Sequence, residues 1–198
     1  MEIKLFNRWN TKDIKVNDPG LIDYINLTPI LVPKTGGRNA KIQFHKSKNH
    51  IVERLINKVM VPGHKGKKHF LTSAYVSGKS QNAYNIVVRA FEIIEKRLNK
   101  NPVEVFVAAL ENAAPREGIT TIEYGGAKYP QAVDMSPQRR IDMALRHFIQ
   151  GTYAKSFHGK KKAGEYLAEE IINAYNLDQK SLAIAKKLEL ERQADSSR

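Results

Sequence analysis

The feature that most constrains the fold is a series of segments whose apolar residues recur every three or four positions, as on one helical face. In residues 50–60, Ile51, Leu55 and Val59 form such a face, and Glu53 and Arg54 point away from it. The same spacing predicts further helices over 81–98, 101–115, 136–153, 163–175 and 181–194. Short amphipathic helices are unstable alone in water, so we expect these to pack on one another in a bundle.

Several of these segments begin at recognisable capping residues. Asn101 and Ser136 each precede a proline, which is favoured at the first helical position. Ser181 is placed to cap a last helix, along one side of which we expect Leu182, Ala185, Leu188 and Arg192.

Residues 119–135 depart from the helical pattern. Ile119, Thr120 and Ile122 favour a strand, and Gly125-Gly126 is a two-residue hairpin turn signal. The fold class predicted is therefore mainly α, a helical bundle with one projecting β-hairpin and an extended N-terminal arm.

Residues 1–48 read as that arm, and residues 49–198 as a single helical domain that includes the hairpin. Pro19, Pro29 and Pro33 interrupt the arm, and Asp18 is placed to cap a short helix within it. The arm could thread along nucleic acid, or Ile30-Leu31-Val32 could lie as an apolar strap on the domain surface. The two alternatives are compatible.

Charge is the strongest indication of a partner. The chain of 198 residues has a net charge of +13, and residues 41–80 hold nine bases and one acid. Such a distribution favours a polyanion, chiefly nucleic acid, over a membrane surface. No apolar run is long enough to cross a membrane, and MEIKLFNRWN has no apolar core of a secretory signal. The lack of cysteine excludes disulfides and Cys-ligated zinc and favours a cytoplasmic setting.

Nothing in the sequence indicates catalysis. Gly78-Lys79-Ser80 resembles the end of a phosphate-binding loop, but Ser73 stands where that loop needs a glycine. His64 and His69 lie among lysines, which disfavour a metal ion. We therefore expect no enzyme activity, no metal, no cofactor and no small-molecule substrate. A basic RNA-processing enzyme and a DNA-architectural protein stay as alternatives.

Basic loops favour binding to folded RNA. The segment VPGHKGKKHF, residues 61–70, joins lysines to glycines that let backbone approach phosphate closely. Lys128 and Tyr129 follow the hairpin turn, where the ring could stack on a base or pack across the hairpin. The cations predicted to bind RNA, with one histidine, are Arg38, Lys41, Lys46, Lys48, Lys58, His64, Lys65, Lys67, Lys68, Lys79, Arg116, Arg139, Arg140, Arg146, Lys160, Lys161 and Lys162.

Several stretches, in order, carry a resemblance to a known family. They are IVERLINKVM (51–60), AFEIIEKR (90–97), NPVEVFVAALENAAPRE (101–117), YGGAKYPQAVDMSPQRR (124–140) and ALRHFIQGTYAKS (144–156). Together they resemble the universal small-subunit ribosomal protein S-seven family. FNRWNTKDIKVNDPGLIDYINL and AIAKKLELERQADSSR are similar to its archaeal and eukaryotic branch, whose eukaryotic member is called S-five.

The resemblance implies a structural ribosomal protein. Such a protein binds the 3′ major domain of small-subunit ribosomal RNA, nucleates assembly of the subunit head and adjoins other head proteins. Its hairpin, here 119–135 with Gly125 and Gly126 at the tip, lies near the exit-site transfer RNA and the messenger RNA exit path. Arg139 and Arg140 match the paired arginines that open the next helix, and Lys58 with Lys65–Lys68 matches a basic helix-end segment.

The chain also departs from the family pattern. Its basic loop is longer and richer in histidine than the bacterial form. Its hairpin carries Thr120, Thr121 and Glu123 where bacterial members are rich in arginine. The RNA contact that the resemblance implies for the hairpin is therefore expected at the Gly125-Gly126 tip.

Overall fold

Helices are the main secondary structure of the protein, as the sequence predicts. The computed structural model describes residues 3–37, 41–65, 68–70, 73 and 75–198. The helices are α1 (Ile51–Val59), α2 (Ser80–Leu98), α3 (Pro102–Ala113), α4 (Pro137–Ser156), α5 (Ala163–Tyr175) and α6 (Leu182–Asp195). The strands are β1 (His64–Lys65), β2 (Lys68–His69), β3 (Glu117–Tyr124) and β4 (Ala127–Asp134). The predicted class, a mainly α bundle with a projecting hairpin, is confirmed.

The first helix is buried on more sides than its sequence pattern indicates. Ile51, Leu55 and Val59 face the core as expected. Glu53 and Arg54, which lie off that apolar face, are also almost fully buried. The N-terminal segment covers them: Glu53 accepts hydrogen bonds from the Thr35 amide (2.8 Å) and hydroxyl (2.5 Å).

The N-terminal segment contributes to the core of the bundle. Leu5, Trp9 and Leu21 are buried in one cluster with the helices, and the Trp9 ring centroid lies 5.7 Å from that of Phe91. The short helix expected after Asp18 is a single 3₁₀ turn, Ile22–Tyr24. Further along, Leu31 and Val32 are about half exposed.

Local capping signals locate the helix starts but do not always supply the cap. Asn101 accepts a hydrogen bond from the Val103 amide at 3.1 Å, as predicted. Ser136 precedes α4 without a side-chain cap. Ser181 also makes no cap. Instead the buried carboxylate of Glu170, on α5, accepts the amide of Leu182 and the hydroxyl of Ser181.

The buried side of α6 differs from the predicted one. Ala183, Ile184 and Ala194 are buried, whereas Leu188, expected on the packed side, is 37% exposed. Apolar residues are spread around this helix, so their spacing alone selects no face. The contacts of α6 with α4 and the hairpin decide which side is covered.

The hairpin forms as predicted and leans on α6. Strands β3 and β4 pair antiparallel from Glu117 opposite Asp134 to Tyr124 opposite Ala127, with Gly125-Gly126 as the turn. At its root the Met135 amide donates to the Arg116 carbonyl at 3.0 Å. Beyond that root both strands are exposed, so the hairpin projects from the bundle.

Candidate nucleic-acid interface

Cations from three parts of the chain converge around one carboxylate, that of Asp142 on α4. Arg54 Nη2 lies 3.2 Å from Asp142 Oδ1, and Lys46 Nζ contacts Oδ2. Burial alone would raise the pKa of Asp142, but the hydrogen bonds and charges of Lys46 and Arg54 hold it below its usual value. Lys58 and Arg146 line a cleft of about 50 Å³ beside this group. We call Lys46, Lys58 and Arg146 the α1/α4 cation cluster.

The charged form of Lys58 is disfavoured within this cluster. Burial lowers its pKa first, and repulsion from Arg146, Lys46 and Arg54 lowers it further, against the attraction of Asp142. Among the described residues these positive side chains outnumber the single carboxylate between them. A phosphate at the cleft would supply the missing negative charge, so the cluster is suited to an anionic partner.

The two arginines at the start of α4 have different surroundings. Arg139 is exposed, as is Arg146 two turns further on the same side of the helix. Arg140, predicted to bind RNA with them, is 8% exposed. Its Nε donates to the Pro115 carbonyl at 3.1 Å, and its Nη2 lies 2.6 Å from Asp18 Oδ2. Because these groups occupy its guanidinium, Arg140 is not part of the surface.

Within the basic 61–70 segment, β1 and β2 pair as a short antiparallel ribbon. His64 pairs with His69, and Lys65 with Lys68. Its root is tightly packed: the Phe70 amide donates to the Gly63 carbonyl at 3.2 Å, and a Cβ on Gly63 would lie 2.3 Å from Ser73 Cβ. Lys68 is exposed, and the backbone alone is described for His64 and Lys65. Lys67 lies outside the described residues.

A second basic loop follows α4. Lys160, Lys161 and Lys162 are all exposed. Lys161 Nζ lies 2.5 Å from Glu169 Oε1, whereas no ion pair engages Lys160 or Lys162 within the described ranges. These two lysines therefore keep their charges available to a partner.

The remaining predicted cations are spread around the bundle. Lys41, Lys48 and Lys79 are exposed, and Arg38 lies outside the described residues. Arg116 is exposed at the hairpin root, near Lys187 of α6.

The hairpin differs from the rest of the surface in charge. Residues 117–134 hold three acids, Glu117, Glu123 and Asp134, against one base, Lys128. Gly125 and Gly126 adopt positive φ angles of 57° and 80°, which favour glycine, and a Cβ on either would meet open space. Lys128 and Tyr129 are exposed near this tip, and Tyr129 lies opposite Ile122. Both the stacking and the cross-strand roles of Tyr129 are therefore compatible with its position.

Two features are absent from the part of the chain that the structure describes. No three His, Cys, Asp or Glu side chains in those ranges come together as metal ligands. None of the helices there is both long and apolar enough to span a bilayer.

Comparison with known proteins identifies the family. Residues 32–198 match the family described as Ribosomal protein S7p/S5e. The chain belongs to the S7p/S5e family. That family consists of structural, non-enzymatic proteins, so the expectation of no enzyme activity is confirmed and the alternative of an RNA-processing enzyme is removed.

The S7p/S5e chain is similar over its whole length to curated archaeal proteins. It is 57% identical over 202 residues to the small ribosomal subunit protein uS7 of Nanoarchaeum equitans, and 50% identical over 199 residues to that of Methanococcus aeolicus. In both comparisons the alignment covers all of this chain and all of the relative. The predicted resemblance to the archaeal branch is confirmed.

In this S7p/S5e protein, sequence reasoning missed the groups that organise the interface. Asp142 pairs with both Lys46 and Arg54, and no sequence pattern links these residues, which lie far apart along the chain. Lys187 lies in a block of balanced charge, yet its Nζ donates to the Asn112 carbonyl at 2.8 Å near Arg116. Burial, and repulsion from Arg116 and Arg140, lower its pKa despite Glu191 and Asp18.

Proposed function

We propose that this S7p/S5e protein is a structural component of the small ribosomal subunit that binds its ribosomal RNA. The observation that carries the proposal is the whole-length likeness to two proteins named small ribosomal subunit protein uS7. The net charge of +13 and the α1/α4 cation cluster, in which Lys46 and Arg146 are exposed, give a physical basis for binding a polyanion.

We further propose that the RNA bound is the 3′ major domain, at a junction of several helices. The candidate RNA-binding cations come from separate elements, the α1/α4 cluster, Arg139, the 61–70 segment and the 160–162 loop. Such a distribution suits folded RNA, whose phosphates approach from several directions, better than one straight duplex groove.

A competition experiment tests this assignment. The purified chain is offered a 3′ major-domain fragment of small-subunit ribosomal RNA against equal masses of unrelated folded RNA and duplex DNA. We expect a preference of about a thousandfold for the fragment, the low end for specific nucleic-acid sites. Equal binding to all three would mean that charge alone acts. Affinity for duplex DNA as high as for the fragment, with weaker binding to unrelated RNA, would favour the DNA-architectural alternative.

We propose that binding nucleates the subunit head and brings the protein beside other head proteins. Reconstitution of the small subunit with and without this chain tests this step. We expect the head proteins to be missing from particles assembled without it, and the remaining proteins to be retained. A complete head in its absence would contradict the proposal.

We propose that the hairpin tip lies near the exit-site transfer RNA and the messenger RNA exit path. The acidic strands are unsuited to contact with the RNA backbone along their length. The contact is therefore assigned to the tip residues Gly125, Gly126, Lys128 and Tyr129. A photo-crosslinking residue in place of Lys128, which is exposed beside the tip, should label exit-site transfer RNA or messenger RNA in programmed ribosomes. The same probe at position 195, on the exposed Asp195 of α6, is the control, and equal labelling from both would contradict the assignment.

A further inference from the structure

Four aromatic rings follow one another across the surface at the end of α4. The ring centroids of Phe70 and Tyr153 lie 6.2 Å apart, those of Tyr153 and Phe157 6.4 Å, and those of Phe157 and His158 4.3 Å. We call these four residues the aromatic ladder. Phe70 is 42% exposed and Phe157 is 51% exposed, so the ladder leaves apolar ring surface in contact with water.

The ladder joins two basic segments that are far apart in the sequence. Phe70 ends the 61–70 ribbon, and Phe157 and His158 begin the loop that holds Lys160 and Lys162. Neither residues 61–70 nor residues 151–162 contain an acid. Lys68, Lys160 and Lys162 are exposed, and no ion pair engages them within the described part of the chain. The exposed rings are therefore bordered by positive charge.

Helix packing accounts for only part of this arrangement. Tyr153 and Phe157 are four positions apart, a spacing that brings side chains together along a helix. Phe157 and His158, however, follow the last residue of α4, and neither belongs to the buried core. His158 holds a positive φ of 55°, a backbone conformation unfavourable for a residue with a Cβ. This turn places its ring against that of Phe157.

We propose that the aromatic ladder is a stacking platform for unpaired bases of the bound RNA, an inference that rests on the proposed function. Exposed aromatic faces combined with lysines are suited to single-stranded nucleic acid, because rings stack on bases while the cations contact the backbone. A protein partner is less favoured by this site, because its cationic border complements a chain of phosphates. Phe157 is the more exposed of the two phenylalanines and supplies the main stacking surface. Lys160 and Lys162 contact the RNA backbone beside it.

The test separates stacking from charge by using two probes with the same number of phosphates. One is a single-stranded adenosine oligonucleotide of about ten nucleotides, and the other is its abasic counterpart. The full chain should bind the base-containing strand about 5- to 150-fold more tightly, the range expected when one base stacks on a ring. Phe157→Leu should lose this preference and keep its affinity for the abasic strand, while Phe157→Trp should retain both.

Tyr124→Leu is the matched control, because it removes a ring that is 82% exposed on the hairpin and does not belong to the aromatic ladder. This variant should keep the preference for bases, and thermal unfolding should show that all variants remain folded. Equal binding of the two probes by the unmodified chain, or a full preference retained by Phe157→Leu, would overturn the proposal. The second result would favour a protein, rather than RNA, as the partner of the aromatic ladder. Neither result depends on the 3′ major-domain preference, so the proposed function is judged separately.

Discussion

At the residue scale, two buried histidines should make the protein sensitive to acid. Burial lowers the pKa of His50 to about 4, and its Nδ1 accepts the Val52 amide at 3.2 Å. Burial, followed by repulsion from Arg146 and Lys186, lowers the pKa of His147 to about 4. The ordinary histidine pKa is 6.5, so the unfolded chain takes up these protons first as the pH falls.

The two histidines therefore contribute stability that is complete above the unfolded pKa and is lost as the pH falls from 6.5 towards 4. Each should lower the free energy of unfolding by about 2 kcal/mol between about pH 7 and about pH 5. Urea unfolding at both pH values measures this loss. His50→Asn keeps a side-chain acceptor at the start of α1 and should remove about half of the pH dependence. An unchanged dependence in this variant would show that His50 is not responsible.

Neighbouring arginines on α4 should have opposite roles. Arg140→Ala removes the partner of the Asp18 carboxylate and leaves the Pro115 carbonyl without its donor. The pair is only partly buried, so we expect the free energy of unfolding to fall by about 2–3 kcal/mol. Arg139→Ala removes an exposed side chain and should change stability by less than about 0.5 kcal/mol.

Binding to the ribosomal RNA fragment should show the reverse order. Arg139→Ala should weaken binding, while folded Arg140→Ala protein should bind close to normally below its unfolding temperature. Chemical denaturation and fluorescence anisotropy measure the two properties on the same samples. If the Arg140→Ala variant had normal stability but bound RNA more weakly, Arg140 would belong to the RNA interface.

At the scale of elements, α6 depends on a carboxylate from its neighbour α5. Glu170 is fully buried, accepts the Leu182 amide and the Ser181 hydroxyl, and lies 2.6 Å from Lys155 Nζ. Gly151 makes room for it, because a Cβ there would lie 2.6 Å from the Glu170 carboxylate. One side chain thus ties together α4, α5 and the start of α6.

Glu170→Ala should consequently destabilise the fold by about 3 kcal/mol, since it removes a helix cap and leaves buried donors without an acceptor. Hydrogen exchange should accelerate most at the first turn of α6. Glu189→Ala is the control, because it removes an exposed carboxylate of the same helix, paired with Lys186, and should change stability by less than about 0.5 kcal/mol. Uniform acceleration over the whole chain would contradict a local capping role.

At the scale of the whole molecule, the separate basic elements should contribute additively to the salt dependence of RNA binding. Replacing Lys65, Lys67 and Lys68 by alanine should flatten the slope of log affinity against log salt by about two to three units, if each neutralises one phosphate. Replacing Lys58 and Arg146 should flatten it by about two units. Titrations at several salt concentrations measure both slopes, and an unchanged slope in the first variant would remove the ribbon from the interface.

The sequence by itself determined the helices, most of their starts, the hairpin and its turn, and the basic character of residues 41–80. Each of these depends on neighbours within a few positions. Helical spacing, Asn101 before Pro102 and Gly125-Gly126 act through local backbone geometry, so they can be read without the fold. The family could also be recognised from the sequence, because its motifs occur along the chain in the expected order.

Only the tertiary structure decided which charges face solvent. Arg139 and Arg140 are adjacent and chemically alike in the sequence, yet Asp18 and the Pro115 carbonyl, far away along the chain, withdraw one of them from the surface. The burial of Glu53 beneath the N-terminal segment, the capping of α6 by Glu170, and the meeting of Phe70 with Tyr153 have the same origin. These outcomes depend on contacts between distant segments, whose geometry is fixed only when the apolar faces pack together.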